Sequence, residues 1–281
     1  MREGRVTCTG KNGDHEIAFT DWGDVSNPNI LVCAHGLTRN SRDFDKIAES
    51  LSEDYRVICP DMVGRGNSDW LSQADEYGYP QYVADTLTLL GQFEIRTLNW
   101  LGTSMGGLLG MMLAAMPDTP IQRMVINDIG PFIKRAPLRR IAAYLSARPK
   151  FETFEDLESH LREIHAPFGP LTDGEWHHVA THSALQTADN RWQTRYDPDI
   201  SVPFCKAIDA DIDIWEIWDQ IRCPVLVLRG ADSDLLSGET AAEMTTRGPG
   251  SVTVKEFEGV GHAPMLMADD QILCIQRWLS K

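Results

Sequence analysis

The sequence has little positive charge for its size. Among its 281 residues, 41 aspartates and glutamates outnumber 26 lysines and arginines, so the formal net charge at pH 7 is −15. A surface that binds nucleic-acid phosphates needs clustered positive charge, which a strongly acidic chain does not favour. We therefore expect no nucleic acid among the partners of this protein.

Cysteine is sparse, and no two cysteines form a C-x-x-C pair. The six residues are scattered singly, at Cys8, Cys33, Cys59, Cys205, Cys223 and Cys274. Cys33 and Cys59 lie within apolar runs, where a free thiol behaves as a small buried hydrophobic group. A chain of this length does not need disulfides in order to fold. The pattern favours free thiols and a cytoplasmic location.

A long uninterrupted apolar stretch is also absent. The first six residues include three charged side chains and do not form the apolar run of a signal peptide. Residues 97–117 carry no charge, but four glycines and several polar residues interrupt them. A strand, a tight turn and a buried helix explain this stretch better than a membrane span does. We expect no association with a membrane.

Strand and helix patterns alternate along most of the chain. Short apolar segments typical of strands occur at residues 16–20, 30–33, 56–59, 97–101, 124–126, 224–228 and 253–257. Apolar residues at helical spacing lie between them, for example over residues 41–51 and 82–93. Such alternation predicts an α/β fold with a mostly parallel central sheet that is covered by helices on both faces.

The alternation is interrupted once. Residues 131–209 contain several helical patterns, and Pro167 and Pro170 break the chain between two of them. No segment in this region has the composition of a parallel-sheet strand. We interpret it as a helical insertion, so that residues 1–130 and 210–281 together form the core domain.

A G-x-S-x-G motif lies between an apolar strand pattern and an apolar helix pattern, over residues 102–106. A serine on a sharp turn from strand to helix adopts a strained backbone conformation, and its neighbours must be glycines to avoid steric clashes. The helix that follows directs free N–H groups toward the turn, where they stabilise negative charge. The motif in this context predicts that Ser104 is a nucleophile.

A serine hydroxyl needs a base within hydrogen-bond reach to become a nucleophile at neutral pH. His262 lies in a glycine-rich loop, residues 259–264, between the last strand pattern and the last helix pattern. It follows the serine and several candidate acids along the chain, which is the order found in one class of serine hydrolases. We predict that His262 is the general base.

The backbone near His35, after an early apolar strand, is a candidate for binding an oxyanion. In the segment His35-Gly36-Leu37, the Leu37 N–H is predicted to act together with the Met105 N–H that follows the nucleophile. The His35 ring is predicted to be structural and to bond nearby backbone groups.

These motifs resemble those of the α/β-hydrolase superfamily over nearly the whole chain. The shared features are His35-Gly36, the segment 61–68 (DMVGRGNS), the motif at residues 102–106 and Gly261-His262. The sequence is most similar in character to small bacterial serine esterases with a helical lid. The resemblance implies an α/β-hydrolase fold, and it implies that the insertion at residues 131–209 is a lid that closes over Ser104.

The acid of the catalytic triad is left open between two aspartates. In the commonest family pattern it follows the strand at residues 224–228, but Ser233 occupies that position here, and Asp234 lies one residue further on. Some family members carry their acid after an earlier strand, where this chain has Asp128. We take Asp128 as the first candidate and Asp234 as the alternative.

The predicted function is hydrolysis of a small carboxylic ester, thioester or lactone through a Ser104 acyl-enzyme, with no cofactor. Carbon–carbon bond hydrolysis by the same triad is an alternative, and so is a catalytically silent protein that binds a small ligand on this fold. His178 and His182 lie four residues apart on a helix pattern, but no third ligand is evident, so we expect no metal site. The sequence assigns neither the substrate-binding residues nor the oligomeric state.

Overall fold

The computed structural model describes all 281 residues. Twelve strands occur along the chain: β1 (Arg2–Gly10), β2 (Gly13–Trp22), β3 (Ile30–Ala34), β4 (Arg56–Pro60), β5 (Leu98–Thr103), β6 (Ile121–Asn127), β7 (Phe132–Ile133), β8 (Ala184–Gln186), β9 (Trp192–Thr194), β10 (Ile212–Asp213), β11 (Val225–Gly230) and β12 (Val252–Phe257). Ten α-helices accompany them: α1 (Asp45–Leu51), α2 (Tyr79–Gln92), α3 (Met105–Ala114), α4 (Arg135–Ala147), α5 (Phe154–Ile164), α6 (Asp173–Ser183), α7 (Ser201–Ala207), α8 (Trp215–Trp218), α9 (Gly238–Met244) and α10 (Asp269–Leu279).

Eight of the strands form one sheet, in the order β1-β2-β4-β3-β5-β6-β11-β12. The strands from β4 to β12 in this order pair in parallel, whereas β2 pairs with β1 and with β4 in antiparallel fashion. The mostly parallel sheet predicted from the sequence is confirmed. Strand β1 was not predicted, because it is an edge strand whose residues are mostly exposed and polar.

Helices bury both faces of the sheet, and β3 illustrates how the sequence encodes this. All five residues of β3 are buried. Its alternate residues Leu31 and Cys33 join a core of 19 buried residues on one face, while Ile30, Val32 and Ala34 join a core of 41 on the other. Because successive side chains of a strand point to opposite faces, a strand covered on both sides is apolar throughout.

The region predicted as an insertion contains helices α4 to α7. The chain enters it through β7 and leaves it through β10, and these two strands pair in antiparallel fashion, with Ile133 opposite Ile212. A second antiparallel pair, β8 with β9, lies within it. No strand was predicted here, because each of the four is only two or three residues long, too short to show a periodicity.

All six cysteines are free thiols, and Cys8, Cys33 and Cys59 are buried. No helix has both the length and the apolar character needed to cross a lipid bilayer.

Candidate active site

Ser104 lies on the sharp turn between β5 and α3. Its backbone angles are φ 52° and ψ −114°, a conformation that non-glycine residues rarely adopt. A side chain at Gly102 would overlap the backbone of Gly106, and one at Gly106 would overlap the carbonyl of Ala34. The glycines at both positions are therefore a steric requirement of the turn that exposes the Ser104 hydroxyl.

The structure brings Ser104, His262 and Asp128 into one chain of hydrogen bonds. His262 Nε2 lies 2.9 Å from Ser104 Oγ, and His262 Nδ1 lies 2.8 Å from Asp128 Oδ2. With a proton on Nδ1 that is donated to the carboxylate, Nε2 is free to accept the serine proton. This arrangement has the geometry of a nucleophile, its base and an orienting acid.

Asp128 is completely buried at the end of β6, and each of its carboxylate oxygens accepts hydrogen bonds. Oδ1 accepts from the Gly230 N–H at 2.8 Å, and Oδ2 accepts from the Ser233 hydroxyl at 2.5 Å as well as from His262. Ser233, which occupies the position of the acid in the commonest family pattern, thus binds the carboxylate that contacts His262. No pattern in the sequence indicated this role.

Asp234, the alternative acid, lies elsewhere. Its Oδ2 accepts from Arg140 Nη2 at 2.7 Å, and about half of each side chain is exposed to solvent. No hydrogen bond joins it to His262. Of the two candidate aspartates, only Asp128 contacts the histidine.

The segment from His35 to Leu37 packs against the turn at Ser104. The His35 ring donates from Nδ1 to the Gly36 carbonyl and accepts at Nε2 from the Met62 N–H, and burial lowers its pKa to about 4. His35 is thus a neutral residue bonded to backbone groups. The Leu37 N–H has no acceptor within the chain, and the Met105 N–H belongs to the first turn of α3, where amides lack intrahelical partners.

Arg65 is a buried residue of this site that was not predicted from the sequence. Its side chain is fully buried, and its Nε donates to the Leu37 carbonyl at 2.9 Å, while Nη2 lies 3.7 Å from Met105 Sδ. The remaining partners are the Val63 carbonyl and the Tyr82 hydroxyl, so no carboxylate neutralises the guanidinium. Burying a charge without a counterion destabilises the folded state. This guanidinium contacts both residues that are proposed to bind an oxyanion.

Asn127, directly before Asp128, connects the strands and the loop that carry the site. Its amide Nδ2 donates to the Thr103 hydroxyl at 3.0 Å and to the Pro264 carbonyl at 2.7 Å. One side chain thus ties the segment before Ser104 to the loop after His262. No motif in the sequence indicated this connection.

Two pockets meet at Ser104. The larger has a volume of about 210 Å³, and 16 of its 19 lining residues are hydrophobic. Helices α2, α4 and α7 contribute to it, with Tyr79, Leu138 and Phe204 among the lining residues. The smaller pocket, of about 70 Å³, is more polar, since only 7 of its 17 lining residues are hydrophobic.

His178 and His182 acquire a third neighbour in the structure that the sequence did not reveal. Asp45, on α1, approaches His178 Nε2 to 3.6 Å and forms a cluster with both histidines. However, Asp45 already accepts a bidentate pair of hydrogen bonds from Arg42, at 2.6 to 2.9 Å. A cation there would have to compete with the Arg42 guanidinium, which does not favour a metal site.

Known proteins resemble this chain in sequence over most of its length. The sequence model of the alpha/beta hydrolase family matches residues 31–273. A 3-hydroxybutyrate-oligomer hydrolase from Cupriavidus necator is 44% identical over 279 residues, an alignment that covers 96% of this chain and 95% of that protein.

Solved structures share the fold over the full length of the chain. An alpha/beta hydrolase from Novosphingobium aromaticivorans superimposes with a TM-score of 0.88 at 36% identity, covering 99% of this chain and 98% of that one. An esterase from Exiguobacterium antarcticum superimposes with a TM-score of 0.74 at 18% identity and 98% coverage of both chains, a likeness of fold alone.

Proposed function

This chain belongs to the alpha/beta hydrolase family, and from that premise we propose that it cleaves a small carboxylic ester through an acyl-enzyme on Ser104. The observation that carries the proposal is the hydrogen-bonded series from Ser104 through His262 to Asp128, at the point where two pockets meet. The Cupriavidus relative is a hydrolase of 3-hydroxybutyrate oligomers. We therefore propose short oligoesters of a small hydroxy acid as the substrates.

The first half of the reaction forms the acyl-enzyme. His262 Nε2 removes the Ser104 proton as Oγ attacks the ester carbonyl, and the Asp128 carboxylate stabilises the imidazolium that results. The negative oxygen of the tetrahedral intermediate accepts hydrogen bonds from the Leu37 and Met105 N–H groups. The intermediate then expels the alcohol, which takes its proton from His262 Nε2.

The second half repeats these steps with water. His262 removes a proton from a water molecule, which attacks the acyl carbon, and the same two amides hold the oxyanion. The intermediate collapses, the acid is released, and the Ser104 hydroxyl regains its proton from His262. Apart from water, these steps use only groups of the chain itself. The same steps apply to thioesters and lactones as well as to esters.

The proposed function is tested with the purified protein and a 3-hydroxybutyrate dimer, beside panels of p-nitrophenyl esters, thioesters and lactones. We expect the dimer to be cleaved to the monomer, and we expect a fluorophosphonate that labels serine to abolish the cleavage. A protein that binds these compounds but hydrolyses none of them would instead be a silent binding protein.

The pH dependence of kcat/KM should reflect a single histidine on its acid side. His262 must be neutral to act as a base, so activity is lost when it is protonated. His165, which lines the smaller pocket, is buried, and burial together with Arg39 lowers its pKa well below the usual range. A group with a lowered pKa stays neutral until the pH falls below that value. The pKa of His35, about 4, is also below the range in which an unperturbed histidine titrates, so neither His165 nor His35 contributes to the acid limb.

We expect log kcat/KM to fall with a slope of one as the pH decreases through this limb. A slope of two, measured between about pH 5 and pH 8, would mean that a second group near Ser104 titrates in the same range. The slope is measured with a neutral ester, so that ionisation of the substrate does not contribute.

Replacing Arg65 should lower kcat more than it changes KM. In Arg65→Met the Leu37 carbonyl loses its donor and the positive charge near the oxyanion disappears, so the transition state is destabilised more than the bound substrate. We expect kcat to fall by roughly 10- to 100-fold, the size of effect seen when stabilisation of an oxyanion is weakened.

Arg65→Lys is the matched variant, because it retains the charge without the fixed fork of donors. It should recover part of kcat. Both variants should unfold at a lower temperature than the wild type, since buried carbonyls lose their partners. Equal losses in kcat and in the affinity for substrate would contradict a role directed at the transition state.

A further inference from the structure

Only one of the two pockets that meet at Ser104 is lined by His262. Ser104, Leu37 and Ile141 line both pockets, but His262 lines only the smaller, polar one. Under the proposed mechanism, His262 Nε2 gives a proton to the leaving alcohol, so the alcohol portion of the substrate must lie beside it. The alcohol portion therefore occupies the polar pocket, and the acyl portion occupies the apolar one.

The polar pocket has more cationic than anionic groups in its wall. Arg39, Arg140 and Asp43 are the residues of its lining that carry full charges. Arg39 is only 5% exposed, and it donates from Nε and Nη2 to Asp43 and from Nη1 to the Ser183 hydroxyl. A guanidinium has five N–H donors, so two of those of Arg39 have no partner within the chain. Arg39 is thus paired with Asp43, and Arg140 is the cation of this wall whose acidic partner, Asp234, lies outside the lining.

Arg140 can bind an anion without losing a strong interaction. It pairs with Asp234 at 2.7 Å, but the two side chains are 47% and 46% exposed. Ion pairs at this level of exposure contribute little to stability, and the partners exchange easily with solvent. The planar guanidinium matches the two oxygens of a carboxylate, so an incoming carboxylate can share it with Asp234 or replace Asp234.

The other residues of the pocket suit a small polar unit. His165 is neutral, as the direction of its pKa shift indicates, so its ring can donate one hydrogen bond and accept another. Tyr144 and Thr38 add hydroxyl groups to the same wall. With a volume of about 70 Å³, a third of the volume of the apolar pocket, the site admits one short unit and not a long chain.

We infer that the alcohol portion of the substrate carries a free carboxylate, which Arg140 recognises in a pocket whose wall also contains Arg39. This inference rests on the proposed ester hydrolysis and specifies the end from which the substrate is cleaved. The enzyme binds an oligoester with its carboxyl end in the polar pocket and cleaves the last ester bond. Water is consumed, the remaining acyl chain leaves as a carboxylic acid, and one hydroxy-acid monomer is released per turnover.

Selectivity for a substrate with a charged carboxyl end is measured with two forms of a 3-hydroxybutyrate dimer, the free acid and its methyl ester. The ratio of their kcat/KM values should favour the free acid by at least about tenfold, the effect of one charge-assisted hydrogen bond. In Arg140→Gln the ratio should fall to near one. Arg140→Lys, which keeps the charge but not the bidentate geometry, should give an intermediate ratio.

Arg139→Gln is the matched control, because Arg139 is the preceding residue on α4, is also exposed, and does not line either pocket. Its ratio should equal that of the wild type. The proposed carboxylate site is wrong if the wild type hydrolyses the two forms of the dimer with a kcat/KM ratio near one, or if Arg139→Gln lowers this ratio as much as Arg140→Gln does. Either result would leave the proposed ester hydrolysis supported. If neither ester is hydrolysed, the proposed function itself fails.

The direction of cleavage is read from a 3-hydroxybutyrate trimer with an acetylated hydroxyl end. Cleavage at the carboxyl end releases free monomer and leaves the acetyl group on the dimer. Cleavage at the other end of the trimer releases an unmodified dimer first. Chromatography of the earliest products should show free monomer, and early release of the unmodified dimer would overturn the proposed orientation.

Discussion

Ser104→Ala is expected to lower kcat for every ester substrate by on the order of 10⁴-fold or more, because no other group near the site can form the acyl-enzyme. The fold should remain intact. The Ser104 hydroxyl has one hydrogen-bond partner, His262, and alanine occupies the same strained backbone position without added bulk. The measurement combines steady-state kinetics with a thermal unfolding curve.

Ser72→Ala provides the matched control, since Ser72 is an exposed serine outside both pockets. It should keep wild-type turnover and wild-type labelling by a fluorophosphonate, while Ser104→Ala should lose both. Substantial ester hydrolysis by a folded Ser104→Ala protein would refute the acyl-enzyme mechanism. A direct attack by water, activated by His262, would then have to be considered.

Asp128→Asn is expected to lower kcat by on the order of 10²–10⁴-fold. The physical reason is the tautomer of His262. The Asp128 Oδ1 accepts from the Gly230 N–H, so the asparagine oxygen is held there and its NH₂ group faces His262. Two donors cannot bond to each other, so Nδ1 loses its proton and Nε2 carries it. An imidazole protonated at Nε2 cannot accept the proton of Ser104.

Asp234→Asn is the comparison that decides which aspartate is the acid. Asp234 pairs with Arg140 at the surface and has no bond to His262, so its loss should lower kcat for a neutral ester far less than the loss of Asp128. A neutral p-nitrophenyl ester is the appropriate substrate, because it has no carboxylate for Arg140 to bind. Its kcat therefore reports the chemical steps and not the recognition of charge. The opposite ranking, measured on folded variants, would assign the acid to Asp234.

The sequence by itself determined the fold class, and it singled out Ser104 and His262, which the structure places in hydrogen-bond contact. Both are encoded locally. Strands buried on both faces are apolar along their whole length, as in β3, and the turn at Ser104 needs glycines at fixed positions on either side. A pattern that is set by neighbouring residues is visible without knowledge of the tertiary structure.

Only the tertiary structure shows which of the two aspartates lies beside His262. Asp128 and Asp234 are each close to the end of a strand, and the sequence could rank them but not locate them relative to His262. Their distances from the histidine depend on how β6 and β11 pair and on where the loop after β12 lies, which are contacts between residues more than a hundred positions apart. The binding of Ser233 to Asp128 depends on the same pairing.

The roles proposed for Arg65 and Arg140 also depend on the tertiary structure. In the sequence each is an ordinary arginine, one in a glycine turn and one beside another arginine on a helix. Arg65 becomes notable because the fold buries it without a counterion against Leu37 and Met105. Arg140 becomes notable because α4 brings it to the pocket that contains His262. Charge in a sequence is counted residue by residue, but its effect depends on burial and on distance, which the packing of distant segments determines.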